Sequence, residues 1–123
     1  MARILICDDA VFMRMTIKET LERAGHEIVG EAADADEGVV LYKKLKPDAV
    51  TMDMVMKTPG VEAVKRIMKF DPKAKIVICS VLNAQESDVV EAVKSGALGI
   101  VAKPIKREVL VAEINRVLGI ETI

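Results

Sequence analysis

Five short apolar runs, each followed by a segment of helical periodicity, leave this chain few ways to fold. The runs are Arg3–Cys7, Glu27–Glu31, Ala49–Met52, Lys75–Cys79 and Ala97–Val101. Several are apolar almost throughout, the pattern of strands covered on both faces. Between them, Met13, Ile17, Leu21 and Ala24 recur at helical spacing, and Gly25 is placed to end that helix in a left-handed turn. Val61, Val64, Ile67 and Met68 form a second stripe. Val89, Val90 and Val93 form a third, closed by Gly96, and Leu110, Ile114, Val117 and Leu118 mark the last helix. Start signals agree: Asp34 with Glu37, and Asn83 with Glu86, pair a capping residue with an acid three positions on. Thr58-Pro59 offers a cap followed by proline at the first helical position. The segment before Asp48 is the least regular, because Gly38 weakens it while Leu41 and Leu45 give it an inward face.

Strands that alternate with helices need right-handed crossovers, which place helices on both faces of a parallel sheet. The expected fold is therefore α/β, a doubly wound (βα)5 domain. With 123 residues, 51% of them apolar, residues 1–123 are expected to form one domain with no effector module, so output is expected to pass through a protein partner. A net charge of −1 carries no electrostatic footprint for nucleic acid, and only three aromatic residues, Phe12, Tyr42 and Phe70, argue against base stacking. No apolar run approaches the roughly 20 residues that span a bilayer. The N-terminal run meets an acidic pair too soon for a signal peptide, so the expected location is cytoplasmic. Cys7 and Cys79 lack CxxC spacing and read as small buried hydrophobes.

The chemistry lies where the strands run out. Asp8 and Asp9 follow the first run, Asp53 the third and Lys103 the fifth, while Ser80 ends the fourth. In a doubly wound sheet these strand ends share one rim, and if the first and third strands are neighbours the three carboxylates converge at a topological switch point. Like charges so placed repel, and a hard cation relieves them; magnesium suits few carboxylates plus several waters. A hydroxyl and an ammonium facing a metal-bound carboxylate make a site for a tetrahedral dianion such as phosphoryl. Asp53 is then the candidate nucleophile, since carboxylates form aspartyl-phosphate intermediates.

Ile4-Leu5-Ile6-Cys7-Asp8-Asp9, Met52-Asp53, Ile76-Val77-Ile78-Cys79-Ser80, Gly96-Ala97 and Lys103-Pro104 occur in an order and spacing that cover nearly the whole chain. In these motifs the chain resembles the receiver domain of two-component response regulators, in its stand-alone CheY-like form. The resemblance implies a flavodoxin-like sheet in strand order 2-1-3-4-5. It implies Mg2+ bound by Asp8, Asp9, Asp53 and the backbone carbonyl of Val55. Asp53 would accept phosphoryl from a phosphohistidine on a sensor histidine kinase or phosphotransfer protein, with Ser80 and Lys103 holding the phosphoryl group. Lys103-Pro104 is expected to be cis. Phosphorylation would reshape the face made by the fourth helix, fifth strand and fifth helix, where a downstream protein target binds. Chemotaxis or a related pathway, in a monomer, is the expected setting.

Three features depart from the family pattern. The position three before the lysine, usually aromatic, is Ile100, so the expected switch at Ser80 and Ile100 is smaller or carried mainly by backbone. The loop Asp53-Met54-Val55-Met56-Lys57-Thr58-Pro59-Gly60 is one residue shorter than usual, and Thr58-Pro59 is expected to start the third helix. Val55 and Leu82 cannot orient a hydrolytic water, so self-dephosphorylation is expected to be slow. Phe12 and Met15 fall off the first helix's buried stripe and are read as a docking patch for the phosphodonor, whereas His26 is given no role. The alternative is a pseudo-receiver, a binding module acting without phosphorylation. Enzymes of related topology fit less well, because no GxGxxG or P-loop occurs and the acids are adjacent rather than Asp-x-Asp.

Overall fold

The structure, a computed structural model, describes residues 1–81 and 86–121. Strands and helices alternate throughout: β1 (Arg3–Cys7), α1 (Val11–Arg23), β2 (Glu27–Ala32), α2 (Ala35–Leu45), β3 (Ala49–Asp53), α3 (Gly60–Phe70), β4 (Ile76–Val81), α4 (Glu86–Lys94), β5 (Gly99–Lys103) and α5 (Arg107–Leu118). All strand pairs are parallel, in order β2-β1-β3-β4-β5. The expected class and strand order both hold.

Strand alternation splits the apolar residues into two cores, as period two demands. Ile4, Ile6, Val77, Cys79 and Val101 pack with Ile17 and Leu21 of α1 and Leu110 and Ile114 of α5. Leu5, Cys7, Val50, Met52, Ile76 and Ile78 turn the other way, onto residues of α2, α3 and α4. Both cysteines are free and buried; burial raises the Cys7 thiol and pushes Cys79 up to about 12, so neither is a ready nucleophile.

Several expected boundaries move. The fifth strand starts at Gly99 rather than Ala97 and carries Lys103 as its last residue, while β4 extends through Ser80 to Val81. Ser80 pairs with Ala102 and Val81 with Lys103. The backbone ladder thus continues past the end of the apolar run, because pairing depends on main-chain groups rather than side-chain polarity. Glycines at two helix ends take the expected left-handed backbone, with φ of 93° at Gly25 and 125° at Gly96.

Helix faces also differ in detail. Ala24 is an exposed C-cap, and Thr20 joins Ile17 and Leu21 in the buried face of α1. In α2 the buried stripe is Ala35, Gly38, Val39 and Tyr42, whereas Leu41 and Leu45 are half-buried. Gly38 is there for contact: a Cβ would lie 2.9 Å from Cys7 Sγ. Val90 and Val93 of α4 are exposed, and Ala92 is buried in their stead. Asp34 does cap α2, accepting the Asp36 N–H, but Glu37 receives the Ala33 N–H at 2.7 Å rather than that of Asp34. Asn83 and Leu82 lie outside the described residues. His26 is buried, accepting the Ala2 N–H at Nδ1 and lying 2.8 Å from Asn115 Oδ1 through Nε2, a structural link between the N-terminus and α5.

Candidate functional site: a carboxylate–lysine cluster at the strand ends

The three acids expected at the rim do meet. One oxygen each from Asp8, Asp9 and Asp53 lie within 4.8 Å of one another. Asp8 follows β1 and is held by its own backbone: its N–H donates to the Ala32 carbonyl at 2.9 Å, and its carbonyl accepts from Arg14 Nη1 at 2.7 Å. Its Oδ1 accepts the Ala10 N–H at 2.9 Å, which turns the chain into α1. Asp53 is the last residue of β3, buried, with the Val55 N–H 3.4 Å from its Oδ1. Asp9 is exposed and supplies the open side of the cluster.

Lys103 reaches in from the end of β5. Its Nζ donates to Asp8 Oδ2 at 2.9 Å and to Asp53 Oδ1 at 3.1 Å. Burial and the neighbouring Asp8 carboxylate hold the Asp53 carboxyl above its usual range, and Lys103 only partly offsets them. For Lys103, burial works against the charge, yet the hydrogen bond to Asp8 and the field of Asp53 raise its pKa overall. One ammonium shared between two carboxylates explains why the lysine gains while Asp53 does not. Three carboxylates against one ammonium leave the cluster short of positive charge, so the donor set fits a divalent cation with oxygen preference.

The loop after Asp53 departs from expectation at its end. Helix α3 begins at Gly60 with Pro59 as its N-cap, so proline precedes the first helical position and Thr58 is not the cap. Thr58 instead ties the loop to α2: its N–H donates to Asp34 Oδ1 at 2.7 Å and its hydroxyl to Asp36 Oδ2 at 3.2 Å. The Thr58 N–H, more than the Asp36 and Ala35 N–H groups, holds the Asp34 carboxyl below its usual range. Gly60 closes the loop. Its N–H donates to the Met54 carbonyl at 3.1 Å, and a Cβ there would fall 2.0 Å from the Asp53 carbonyl oxygen. Sequence reasoning took Asp34 and Thr58 only as caps and so missed the bond between them.

The remaining candidates are scattered around this rim. Ser80 is buried on β4, its hydroxyl donating to the Val81 carbonyl at 3.3 Å rather than toward the acids. Val55 is exposed, as are Phe12 and Met15 on α1, so the off-stripe reading of those two holds. Ile100 points outward from β5 and is exposed. The Lys103-Pro104 peptide is cis, as expected.

A parallel sheet in order 2-1-3-4-5 with an acid triplet and a lysine at its carboxyl rim defines a receiver-type domain. The response regulator receiver domain family model matches residues 4–115, and the chain belongs to that family. It is closely related to chemotaxis protein CheY: 47% identical to that of Thermotoga maritima over 94% of this chain and 96% of the relative. The CheY of Bacillus subtilis is 42% identical, over 95% and 98% respectively. Among solved structures, a Borrelia burgdorferi CheX-CheY-BeF3-Mg2+ complex is similar, with a TM-score of 0.87 and 30% identity over 94% of this chain and 87% of that one.

Proposed function

We propose that this chain is a phosphorylation-activated switch in which Asp53 takes a phosphoryl group from a phosphohistidine on a sensor histidine kinase or phosphotransfer protein. An Asp53 carboxylate oxygen forms the bond to phosphorus as the phosphorus–nitrogen bond breaks, and the imidazole leaves with a proton. Asp8, Asp9, Asp53 and the Val55 carbonyl would hold Mg2+, which supplies charge neutralisation for the phosphoryl oxygens when bound. Lys103 moves its charge from the carboxylates to the phosphoryl group, and Ser80 gives up the Val81 carbonyl to donate to it. The observation that carries this reading is Lys103 shared between buried Asp8 and Asp53, with Asp9 at the open side.

Phe12 and Met15, exposed on α1 beside the rim, form the docking patch for the phosphodonor. The α4–β5–α5 face passes the signal to a protein target, with chemotaxis the setting favoured by the CheY relatives and a monomer the working form. None of the described helices is long and apolar enough to cross a membrane; a cytoplasmic site of action is the setting that the CheY relatives favour. An intact rim favours this reading over a receiver fold that works without phosphorylation. Incubation with Mg2+ and a small phosphodonor such as acetyl phosphate, followed by intact mass measurement, tests it. A single phosphoryl adduct absent in Asp53→Asn is expected; no adduct, or one that survives Asp53→Asn, overturns it.

A further inference from the structure

At the outer edge of the sheet, β5 is closed by two side chains of α5. The Ile100 N–H donates to Glu113 Oε2 at 3.0 Å. Arg116 Nη2 donates to the Leu98 carbonyl at 2.7 Å and to Glu113 Oε2 at 3.1 Å, while its Nε meets Glu113 Oε1 at 2.8 Å. Carboxylate and guanidinium thus take the donor and acceptor that a sixth strand would otherwise have taken. The sequence makes room for them. Gly99 lies between the two bonded residues, and a Cβ on it would sit 2.7 Å from Glu113 Oε2. Arg116 first, and then the Ile100 N–H, hold the Glu113 carboxyl below its usual range against the opposing effect of burial, which favours the ionised acceptor.

The place of this bracket matters. Ile100 and Lys103 belong to one five-residue strand, and Lys103 is the residue that must leave Asp8 and Asp53 when a phosphoryl group arrives. Ile100 itself is 44% exposed, so its side chain has no enclosing pocket to fix it in either of two positions. The inner edge of the strand is paired with β4, and on its open outer edge the main chain is held by Glu113 and Arg116. The bracket is also weakly built, since the Arg116 side chain is 59% exposed and such pairs exchange readily with water.

Resting on the reading of Asp53 as phosphoacceptor, we infer that Glu113 and Arg116 are positioning residues of the switch, holding the main chain of β5 at Leu98 and Ile100 in its resting place. A pull on Lys103 is passed along β5 and is felt at the α4–β5–α5 face as displacement of this bracket. Coupling of this kind is reciprocal: whatever loosens the bracket alters the affinity of the rim for a phosphoryl mimic.

The full chain is titrated with beryllofluoride in saturating Mg2+, and exchange of the Ile100 amide is followed with and without the mimic. Two variants open the bracket in different ways: Glu113→Ala removes the acceptor, and Gly99→Ala pushes the flexible Glu113 side chain aside without removing charge. In wild type the mimic is expected to change Ile100 amide exchange at least roughly threefold. Both variants are expected to shift beryllofluoride affinity by roughly threefold or more in the same direction, and to abolish the effect of the mimic on that amide. Beryllofluoride affinity unchanged in both variants overturns the bracket while leaving Asp53 as acceptor intact. Failure of wild type to bind beryllofluoride at all removes the phosphoacceptor reading and this inference together.

Discussion

The carboxyl rim and the outer edge of β5 are both held by ion pairs, yet they are built in opposite ways. At the rim, Asp8 and Asp53 are buried and Lys103 has only 14% of its side chain exposed; main chain packs so closely behind them that Gly60 alone fits against Asp53. At the edge, Glu113 and Arg116 lie near the surface and hold β5 only through two backbone groups. Low dielectric and fixed backbone make the rim rigid and intolerant, whereas water competes at the edge and leaves it able to change partners. A switch needs both: a stiff place for chemistry and a soft place for response.

The sharpest way to break this contrast is Gly60→Ala. A methyl placed 2.0 Å from a backbone oxygen must move main chain, so a loss of about 2–3 kcal/mol in urea unfolding is expected; tolerance of alanine would show the rim to be soft. Next comes loss of the phosphoryl group. The family resemblance implies that Val55 and Leu82 leave a hydrolytic water without hydrogen-bond partners, so Val55→Asn with Leu82→Glu is expected to speed that loss by about tenfold, or about 1.4 kcal/mol of barrier. Decay followed by intact mass decides it, and an unchanged rate removes these two residues from the account.

The charge imbalance at the rim gives a smaller effect with a definite sign. Asp53 sits above its ordinary pKa of 3.8, first through burial and then through Asp8, so its charged form costs the folded state. Its contribution to stability is full below that ordinary value and lost as pH rises through the folded value. Asp53→Asn should therefore melt above wild type at neutral pH in chelator, with the gap closing on acidification towards pH 3.8 and narrowing when Mg2+ is added. Wild type melting higher at neutral pH in chelator would remove the imbalance. The smallest change is expected at the edge, where Arg116→Ala should cost less than about 1 kcal/mol in urea unfolding. A loss comparable to that of Gly60→Ala would show the edge to be as rigid as the rim.

The rim was largely legible from the chain because its residues sit at the ends of apolar runs, a one-dimensional mark of a strand's last position. Asp8, Asp9, Asp53 and Lys103 could be placed together once the alternation fixed a parallel sheet. The Asp34–Thr58 tether and the Glu113–Arg116 bracket could not. Asp34 and Thr58 each satisfied a local capping rule, which hid their long-range bond. Glu113 and Arg116 show a helical i, i+3 pair in the sequence, but the strand edge they close is 13 to 18 residues away. The faces of α2 and α4 were legible only in part: Leu41, Leu45 and Val89 do turn inward, but Val90 and Val93 are exposed, and close packing on the sheet also buries Gly38 and Ala92, which hydropathy does not single out.

By itself the sequence determined the doubly wound class, the strand ends and the residue types that face one another there, because periodicity and chain direction are local properties. Tertiary structure decided how Lys103 is shared between two acids, how the loop after Asp53 is anchored, and which side chains close β5. Those depend on distances between elements, and such distances are set by packing.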